Sequence, residues 1–284
     1  LHDALPISEK EFKEASDLIP SEPETYYQQA YSLYTQGDYE KSLSFIDNDV
    51  LENRHVKKKG QRMVDIYALA GLNHLELGNN KKAVECFEQA MDFGTFQAEN
   101  YRDYAIVLAN NGQYDKAESM LQKAEDAGLA ESAIAYTRGE ISFAQQEYSA
   151  ALQNFETCID TQEDSYLCMR AYLMANKVYR EKNDLAGSRT LLRQAVSKLP
   201  VQEQLVILEN LVQTDIDLAD KTGQSSYRSE AIGYLNQIIE NNWAGYSDYD
   251  TLAILYQKQN SLAQVESTLK KMESLYGDDY NIQK

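Results

Sequence analysis

Apolar side chains recur with a helical period through residues 101–124, and the same spacing returns along most of the chain. Two amphipathic segments flank Gly112, at a turn where a helix end often needs the positive φ that glycine adopts at low cost. Each segment places its apolar residues on one helical face. They are Tyr101, Tyr104, Ala105 and Leu108 in the first segment, then Tyr114, Ala117, Leu121 and Ala124 in the second. The pattern predicts a helix hairpin that buries its inner face by stacking on further copies.

Copies of this hairpin are found both upstream and downstream. Aligning them on the turn identifies one position of the second segment that is small in most copies, where two helix backbones can approach closely. This position holds Ser42, Ala83, Ala117, Ala151, Ser188 and, less well, Val265. From Ala83 to Ala117 and from Ala117 to Ala151 the step is 34 residues, the period of one class of helical repeat.

Two copies carry a degenerate form of the pattern W-x2-L-G-x2-Y followed by A-x3-F. The matching residues are Tyr67, Ala70, Gly71, His74, Ala83 and Phe87 in one copy, and Tyr101, Tyr104, Ala105, Leu108, Ala117 and Leu121 in the next. The chain therefore resembles the tetratricopeptide repeat family over nearly its whole length. This resemblance implies an all-α fold, a right-handed α-solenoid of about seven helix-turn-helix repeats, and a role as a protein-interaction scaffold.

The repeat phase divides the chain. Residues 1–8, LHDALPIS, fit no helical pattern and resemble a translated sequencing adaptor joined to a bacterial metagenomic fragment, so we predict that they are not native. Phe12, Ala15 and Pro20 predict a truncated repeat over residues 9–22. Complete repeats are predicted from about residues 23, 64, 98, 132, 169, 203 and 246.

Three copies are longer than the period. The step from Ser42 to Ala83 is 41 residues, and the surplus is predicted to form an extended loop or a lengthened helix. The step from Ala151 to Ser188 is 37 residues, with three residues added near TQED. In the sixth repeat, a long apolar-periodic segment from about Val201 to Lys221 predicts either a lengthened first helix or a loop.

Composition narrows the classes of partner. With 27 basic and 45 acidic residues, the formal net charge is -18, which disfavours nucleic acid and anionic membrane as main partners. Cys86, Cys158 and Cys168 show no paired spacing, so we predict small buried hydrophobes rather than a disulfide framework or a zinc site. Free thiols favour a reducing compartment such as the cytoplasm.

No catalytic constellation is recognisable. His2, His55 and His74 are not spaced with carboxylates or cysteines for a metal, and His74 is predicted to be a packed histidine with its hydrogen bonds satisfied. The glycines form no phosphate-binding motif. The basic run at residues 57–59 is interpreted as a solvated face, with an anion contact as the alternative. We therefore predict no enzymatic activity, no cofactor and no metal.

In tetratricopeptide proteins the first helices of the repeats line a concave groove. Transferring the groove positions to this chain predicts a peptide-binding set with an aromatic and aliphatic N-terminal part and three cations in the fifth repeat. The set is Tyr27, Tyr31, Tyr34, Leu72, Leu75, Arg102, Ile106, Tyr136, Phe143, Arg170, Lys177 and Arg180. Alternatively, some tyrosines pack against adjacent repeats and the cations only balance nearby acids.

The predicted function is a scaffold that binds a peptide or a segment of a partner protein in this groove. Apolar side chains of the partner would contact the tyrosines, and a carboxylate would contact the cations. One alternative is the peptide-sensing tail of a truncated transcriptional regulator. A second is an exported, lipid-anchored assembly factor whose signal peptide lies upstream, and an enzyme with an unrecognised site is the most remote alternative.

Overall fold

The computed structural model describes residues 21–277, and they form two compact units that divide between Glu147 and Tyr148. The described part contains fourteen α-helices and no strand. In the first unit they are α1 Pro23–Thr35, α2 Tyr39–Phe45, α3 Gln61–Glu76, α4 Asn80–Met91, α5 Ala98–Asn110, α6 Tyr114–Asp126 and α7 Glu131–Ala144. In the second they are α8 Tyr148–Thr161, α9 Ser165–Glu181, α10 Leu185–Lys198, α11 Gln204–Thr222, α12 Ser225–Glu240, α13 Tyr246–Lys258 and α14 Leu262–Tyr276.

Consecutive helices pair as hairpins. In the first unit α1 packs on α2, α3 on α4 and α5 on α6, while α1, α3, α5 and α7 also pack side by side. In the second unit each helix from α8 to α14 packs on the next one along the chain. The first helices of the first unit therefore form one continuous layer, as the stacking of repeats requires.

The small position of each second helix is buried as predicted. Ala83, Ala117 and Ala151 have no exposed surface, and neither do Ser42 and Ser188. Close approach within a hairpin is clearest at Gly71 of α3, where an added Cβ would lie 2.6 Å from the ring of Phe87 on α4. These small residues thus set the distance between helices, with the apolar residues beside them filling the core.

Two buried polar pairs replace apolar contacts at the serine-bearing positions. Ser42 Oγ donates to the carbonyl of Ala30 (2.9 Å) and accepts from Asn73 Nδ2 (3.0 Å) on α3. Ser188 Oγ donates to Asn176 Oδ1 on α9 (2.5 Å) and lies 3.3 Å from Thr214 Oγ1 on α11. Where the small residue is alanine, the corresponding residue of the following first helix is apolar and buried: Val107 after Ala83, Ile141 after Ala117 and Val178 after Ala151.

The turns inside the hairpins share one backbone conformation. Gly112 has φ +74, as predicted, and Gly37 and Gly78 have φ +80 and +73 at the matching place. In later repeats Gln146 adopts φ 62 there and Asn183 adopts φ 56. The turn geometry is therefore kept even where the chain has no glycine to favour it.

The two open predictions about surplus residues have different outcomes. After Ser42, the second helix continues as a π-helix over Ile46–Leu51, and an irregular segment then leads to α3 at Gln61, so both predicted forms are present in part. In the sixth repeat the surplus lengthens the first helix, since α11 spans Gln204–Thr222 and only two residues separate it from α12. The predicted non-native segment, the residues Phe12, Ala15 and Pro20 of the truncated repeat, and His2 lie outside the described residues.

Candidate functional site

Three tyrosines of α1 form a row of stacked rings on the first unit, here called the tyrosine strip: Tyr27, Tyr31 and Tyr34. They stand at i, i+4 and i+7, which keeps them on one helical face. The ring centroids of Tyr27 and Tyr31 are 5.9 Å apart, and those of Tyr31 and Tyr34 are 6.4 Å apart. Tyr31 is 45% exposed, while the rings on either side of it are half-buried.

A cation from α3 covers one end of the tyrosine strip. The guanidinium carbon of Arg62 lies 4.5 Å from the ring centroid of Tyr27, within the range of a cation–π contact. Arg62 also pairs with Asp65 (Nη1 to Oδ2, 2.7 Å) and with Glu24 (Nη2 to Oε2, 2.6 Å). One ring of the strip, that of Tyr27, is therefore already in contact with a guanidinium group, which Asp65 and Glu24 hold in place.

Carboxylates lie near the other end of the strip. Burial raises the pKa of the Tyr34 hydroxyl to about 12, and the carboxylates of Glu76 and Asp103 add to the rise. The pKa of Tyr27 is also raised, first by burial and then by the charge of Asp65. Both hydroxyls therefore stay protonated at neutral pH and are available as hydrogen-bond donors.

The other predicted residues of the first unit are less accessible than the strip. Leu72 and Leu75 on α3 are half-buried and pack against the core of the first unit, and Ile106 and Phe143 are half-buried too. Arg102 pairs with Asp103 (Nη2 to Oδ1, 2.7 Å), and Tyr136 is only 5% exposed. A ligand lying over the first helices would therefore meet mainly the tyrosines and the edges of the apolar residues.

The three predicted cations lie on α9 in the second unit. Arg170, Lys177 and Arg180 are all exposed and share one helical face. Arg180 Nη2 pairs with Asp217 Oδ2 on α11 at 2.6 Å, an ion pair of the kind that the alternative interpretation of these cations expects.

The sequence interpretation missed the acids beside the strip. Asp65 and Glu76 are eleven residues apart on α3, about three helical turns, which puts them on the same side of that helix. Asp103 follows the predicted Arg102 and is largely buried, with a side-chain exposure of 17%. Burial raises the pKa values of Asp65 and Asp103, opposed by the neighbouring arginines. The three-turn spacing of Asp65 and Glu76 was the sequence signal that could have identified these acids.

The thiols and the histidine of the described region show little chemical activation. Cys158 and Cys168 are buried, as predicted, whereas Cys86 is only half-buried, and all three are free thiols. Burial raises the pKa of Cys86 to about 11 and that of Cys158 to about 12, so neither is a thiolate at neutral pH. His74 is half-buried, but its Nδ1 has no hydrogen-bond partner, so the prediction of a fully satisfied ring is wrong.

Further features concern metals, membranes and the basic run. Within residues 21–277 no group of three or more His, Cys, Asp or Glu side chains is placed to hold a metal ion. None of the helices in that range combines the length and apolarity needed to cross a bilayer.

In the basic run, Lys57 is paired with Glu22 and Lys58 donates to the carbonyl of Leu51, and both lysines are exposed.

Paired helices with small residues at the crossings and a shared turn define an all-α helical repeat protein. Two segments match models of a repeat family, residues 64–93 and residues 103–166, and both models are described as tetratricopeptide repeat. The chain is a tetratricopeptide repeat protein, and the helices of residues 21–277 form about seven pairs. The resemblance inferred from residues 67–87 and 101–121 is thereby confirmed, as is the predicted all-α class.

One curated relative is Tetratricopeptide repeat protein 1 of Schizosaccharomyces pombe, which is 24% identical over 195 residues. The matched part is 66% of this chain and 18% of the yeast protein, so the chain spans less than a fifth of the length of that relative.

Solved structures of this fold include the hetero-tetramer Cut9-Hcn1 of the APC/C, with a TM-score of 0.55 and 11% identity, covering 86% of this chain and 44% of that one. The C-terminal part of a repeat protein from Cytophaga hutchinsonii has a TM-score of 0.51 and 13% identity, covering 88% and 95%. A monomeric IFIT1 mutant with Gppp-AAAA has a TM-score of 0.53 and 15% identity, covering 94% and 66%. At these identities the likeness concerns the fold alone.

Proposed function

We propose that the chain binds a segment of a partner protein along the first helices of its repeats, with the tyrosine strip as the anchor. Tetratricopeptide repeat proteins generally mediate protein–protein interactions, and the observation that carries the finer proposal is the stacked row on α1. Tyr31 is 45% exposed between two half-buried rings. Tyrosine offers a large amphipathic surface with few rotatable bonds, which suits an anchor of binding energy.

The charges beside the strip select the kind of segment. Asp65, Glu76 and Asp103 lie near the hydroxyls of the strip, and Arg62 shows that a guanidinium fits over a ring of the strip. A segment that carries lysine or arginine between apolar residues would meet the rings and Glu76, and at Asp65 and Asp103 it would share the ion pairs with Arg62 and Arg102. The net charge of -18 supports a basic segment and disfavours nucleic acid as the partner.

In the second unit, a carboxylate of the partner would contact Arg170, Lys177 and Arg180. Because Arg180 is paired with Asp217, a ligand carboxylate there would have to share or replace an existing ion pair. The tyrosine strip is therefore the main contact of the partner segment, and the three cations are an additional one.

The test measures binding of two labelled peptides by fluorescence anisotropy, one alternating leucine and lysine and the other alternating leucine and glutamate. We expect the basic peptide to bind, to weaken with added salt, and to lose at least tenfold in affinity in a Tyr31→Ala/Tyr34→Ala variant. The matched control is Tyr166→Ala, because Tyr166 of α9 is also exposed, at 60%.

Equal binding of the acidic peptide, or equal loss in the Tyr166→Ala control, would contradict the proposal. Denaturation curves of each variant separate a lost contact from a lost fold. If the variant with two alanines keeps the affinity of the parent chain, the strip is not the anchor.

A further inference from the structure

The helix α14, the last one within residues 21–277, has an apolar side that is largely exposed. It packs on α13, and its buried side chains are Thr268 and Met272. Leu262 and Leu269 are 73% and 41% exposed, and a separation of seven residues puts them on the same side of the helix. Val265 lies between them, at the small position of the repeat, and is half-buried. Leu262, Val265 and Leu269 are here called the end face.

The residues that match the end face are buried in the six described repeats that precede it. Leu269 is the fourth residue after the small position, and its counterparts are at most 1% exposed. The counterparts are Ile46, Phe87, Leu121, Phe155, Leu192 and Leu235. The small residues of the same repeats, from Ser42 to Ala231, have no exposed surface. The end face therefore keeps the apolar character of an internal surface of the array while being exposed to solvent.

In the earlier repeats, the first helix of the following repeat covers this surface. Every second helix from α2 to α12 packs on the first helix that comes after it. At the junction of α4 and α5, Phe87 stacks on Tyr104 with ring centroids 5.2 Å apart and ring planes 3° from parallel. The fold thus shows one kind of cover for this surface, a helix with an apolar side.

The chemistry of the covering helix follows from the residue at the small position. After an alanine, the covering helix places a buried apolar residue there, as Val107 does after Ala83. After Ser42 it instead places Asn73, which donates a hydrogen bond to the serine. Val265 is apolar and has no side-chain hydrogen-bonding group, so the end face matches an apolar helix side.

Charge contributes little beside the end face. Glu266 and Lys270 of α14 pair with each other at 2.6 Å, and both side chains are exposed. Apolar contact therefore supplies the binding energy of this surface. A second copy of the chain is a poor occupant, because each copy has a net charge of -18 and the copies repel each other.

We propose that the end face binds an amphipathic helix of a partner protein, in the place that the first helix of a further repeat would take. Terminal repeats of helical arrays usually carry a polar outer face, and Leu262 and Leu269 depart from that rule. The partner helix presents apolar residues at i and i+3, as Tyr104 and Val107 of α5 do to α4. This surface lies outside the tyrosine strip, so it adds a second place of contact.

The experiment measures fluorescence anisotropy of a labelled peptide of residues 98–126 added to the full chain. This hairpin of α5 and α6 is the probe because α5 covers the matching surface of α4. We expect saturable binding in the micromolar range. Leu269→Glu in the chain, and Tyr104→Glu in the peptide, should each weaken binding by about tenfold or more, because a charge then faces an apolar surface.

Leu275→Glu is the matched control for Leu269→Glu. Leu275 is also exposed on α14, at 47%, and the matching residues Ala127, Lys198 and Asn241 of three earlier repeats are exposed too. This variant should keep the affinity of the parent chain within about twofold. Melting temperatures check that both variants fold, and Leu269→Ala, expected to weaken binding in the same direction, replaces Leu269→Glu if that variant does not fold.

Four results would overturn the proposal. They are no saturable binding of the peptide, an unchanged affinity in the Leu269 variant, an equal loss in Leu275→Glu, and an unchanged affinity of the Tyr104→Glu peptide. A parent chain that sediments as a dimer and becomes monomeric in Leu269→Glu would identify a second copy as the occupant instead. Tighter binding to a chain shortened after Gly277 would show that residues 278–284 occupy the face, which also contradicts a partner helix.

A last comparison separates this surface from the tyrosine strip. Tyr31→Ala/Tyr34→Ala should leave the affinity for the hairpin peptide unchanged, because the strip lies on α1 and the end face on α14. If that variant loses the hairpin peptide as strongly as Leu269→Glu does, the peptide does not report on the end face and the proposal fails.

Discussion

Arg189 and Asp215 form a buried ion pair between α10 and α11, with Arg189 Nε 2.5 Å from Asp215 Oδ1 and a fully buried Asp215 side chain. The same guanidinium also pairs with Glu230 of α12 and lies 5.3 Å from the ring centroid of Tyr227. Three consecutive helices of the second unit are thus joined through one arginine. Asp215 Oδ2 makes no hydrogen bond within the described structure, so Asp215 depends on Arg189 for its stabilisation.

Arg189→Met should destabilise the chain strongly. Removing one partner leaves a buried charge without compensation, and the expected loss at neutral pH is about 3–5 kcal/mol in the free energy of unfolding. Arg189→Met/Asp215→Leu should cost less than the single change, since two apolar groups can replace the pair. Urea denaturation of both variants measures this. A double variant as unstable as the single one would contradict the dependence of Asp215 on Arg189.

Stability should increase as the pH falls from neutral toward about 4, the ordinary range of aspartate pKa values. Burial raises the pKa values of Asp65, Asp103 and Asp215 in the folded chain. A carboxyl with a higher pKa when folded destabilises the fold fully at neutral pH, and this effect is lost as protonation proceeds through the raised pKa.

The measurement is the free energy of unfolding at several pH values, with Asp103→Asn as the comparison. Asp103→Asn should flatten the pH dependence because it removes one of the groups with a raised pKa. High salt in both samples screens the general repulsion among exposed acids. If Asp103→Asn leaves the pH dependence unchanged, the shift assigned to Asp103 is wrong.

Gln146→Gly should stabilise the chain. Gln146 holds φ 62 at the turn after α7, where the matching residues of earlier repeats are glycines. The left-handed conformation is costly for a residue with a Cβ, so a gain of about 0.5–1 kcal/mol is expected after the entropy cost of glycine. The control is Gln145→Gly, at φ -78, which should destabilise. Thermal melts compare the two, and equal shifts would argue against strain at Gln146.

Ala117→Leu should overpack the crossing of α5 and α6. Ala117 has no exposed surface and lies at the small position of its repeat. Inserting a larger side chain into a packed core costs about 1–3 kcal/mol. Ala263→Leu on α14 is the matched control, since Ala263 is an exposed helical residue. An unchanged melting temperature for Ala117→Leu would place the crossing elsewhere.

The helix pairs were predictable because each repeat carries its own signal. The step of 34 residues from Ala83 to Ala117 to Ala151 locates the crossings, and all three residues are fully buried. The turn at Gly112 was equally visible, whereas Gln146 adopts the same conformation without any glycine to indicate it. Local patterns thus predict the hairpins, but they do not predict the backbone conformation of Gln146.

The candidate site was only partly predictable. The spacing of Tyr27, Tyr31 and Tyr34 puts them on one face of α1, where their rings form a row. The approach of Asp103 to Tyr34 depends on how α1, α3 and α5 pack, which no spacing within one helix reveals. The ion pair between Arg180 and Asp217 likewise joins residues 37 positions apart.

The buried pairs of Ser42 with Asn73 and of Ser188 with Thr214 bear on whether the repeats are interchangeable. A serine placed opposite Val107 would lose the amide donor that Ser42 has in Asn73. An alanine placed opposite Asn73 would remove one of the two acceptors of the Asn73 amide, which also donates to the carbonyl of Leu69. The repeats of this chain are therefore not equivalent modules, because the buried side chains at each junction match one particular neighbour. Shuffling, deleting or duplicating whole repeats would be penalised at these two junctions and tolerated better at the alanine junctions between them.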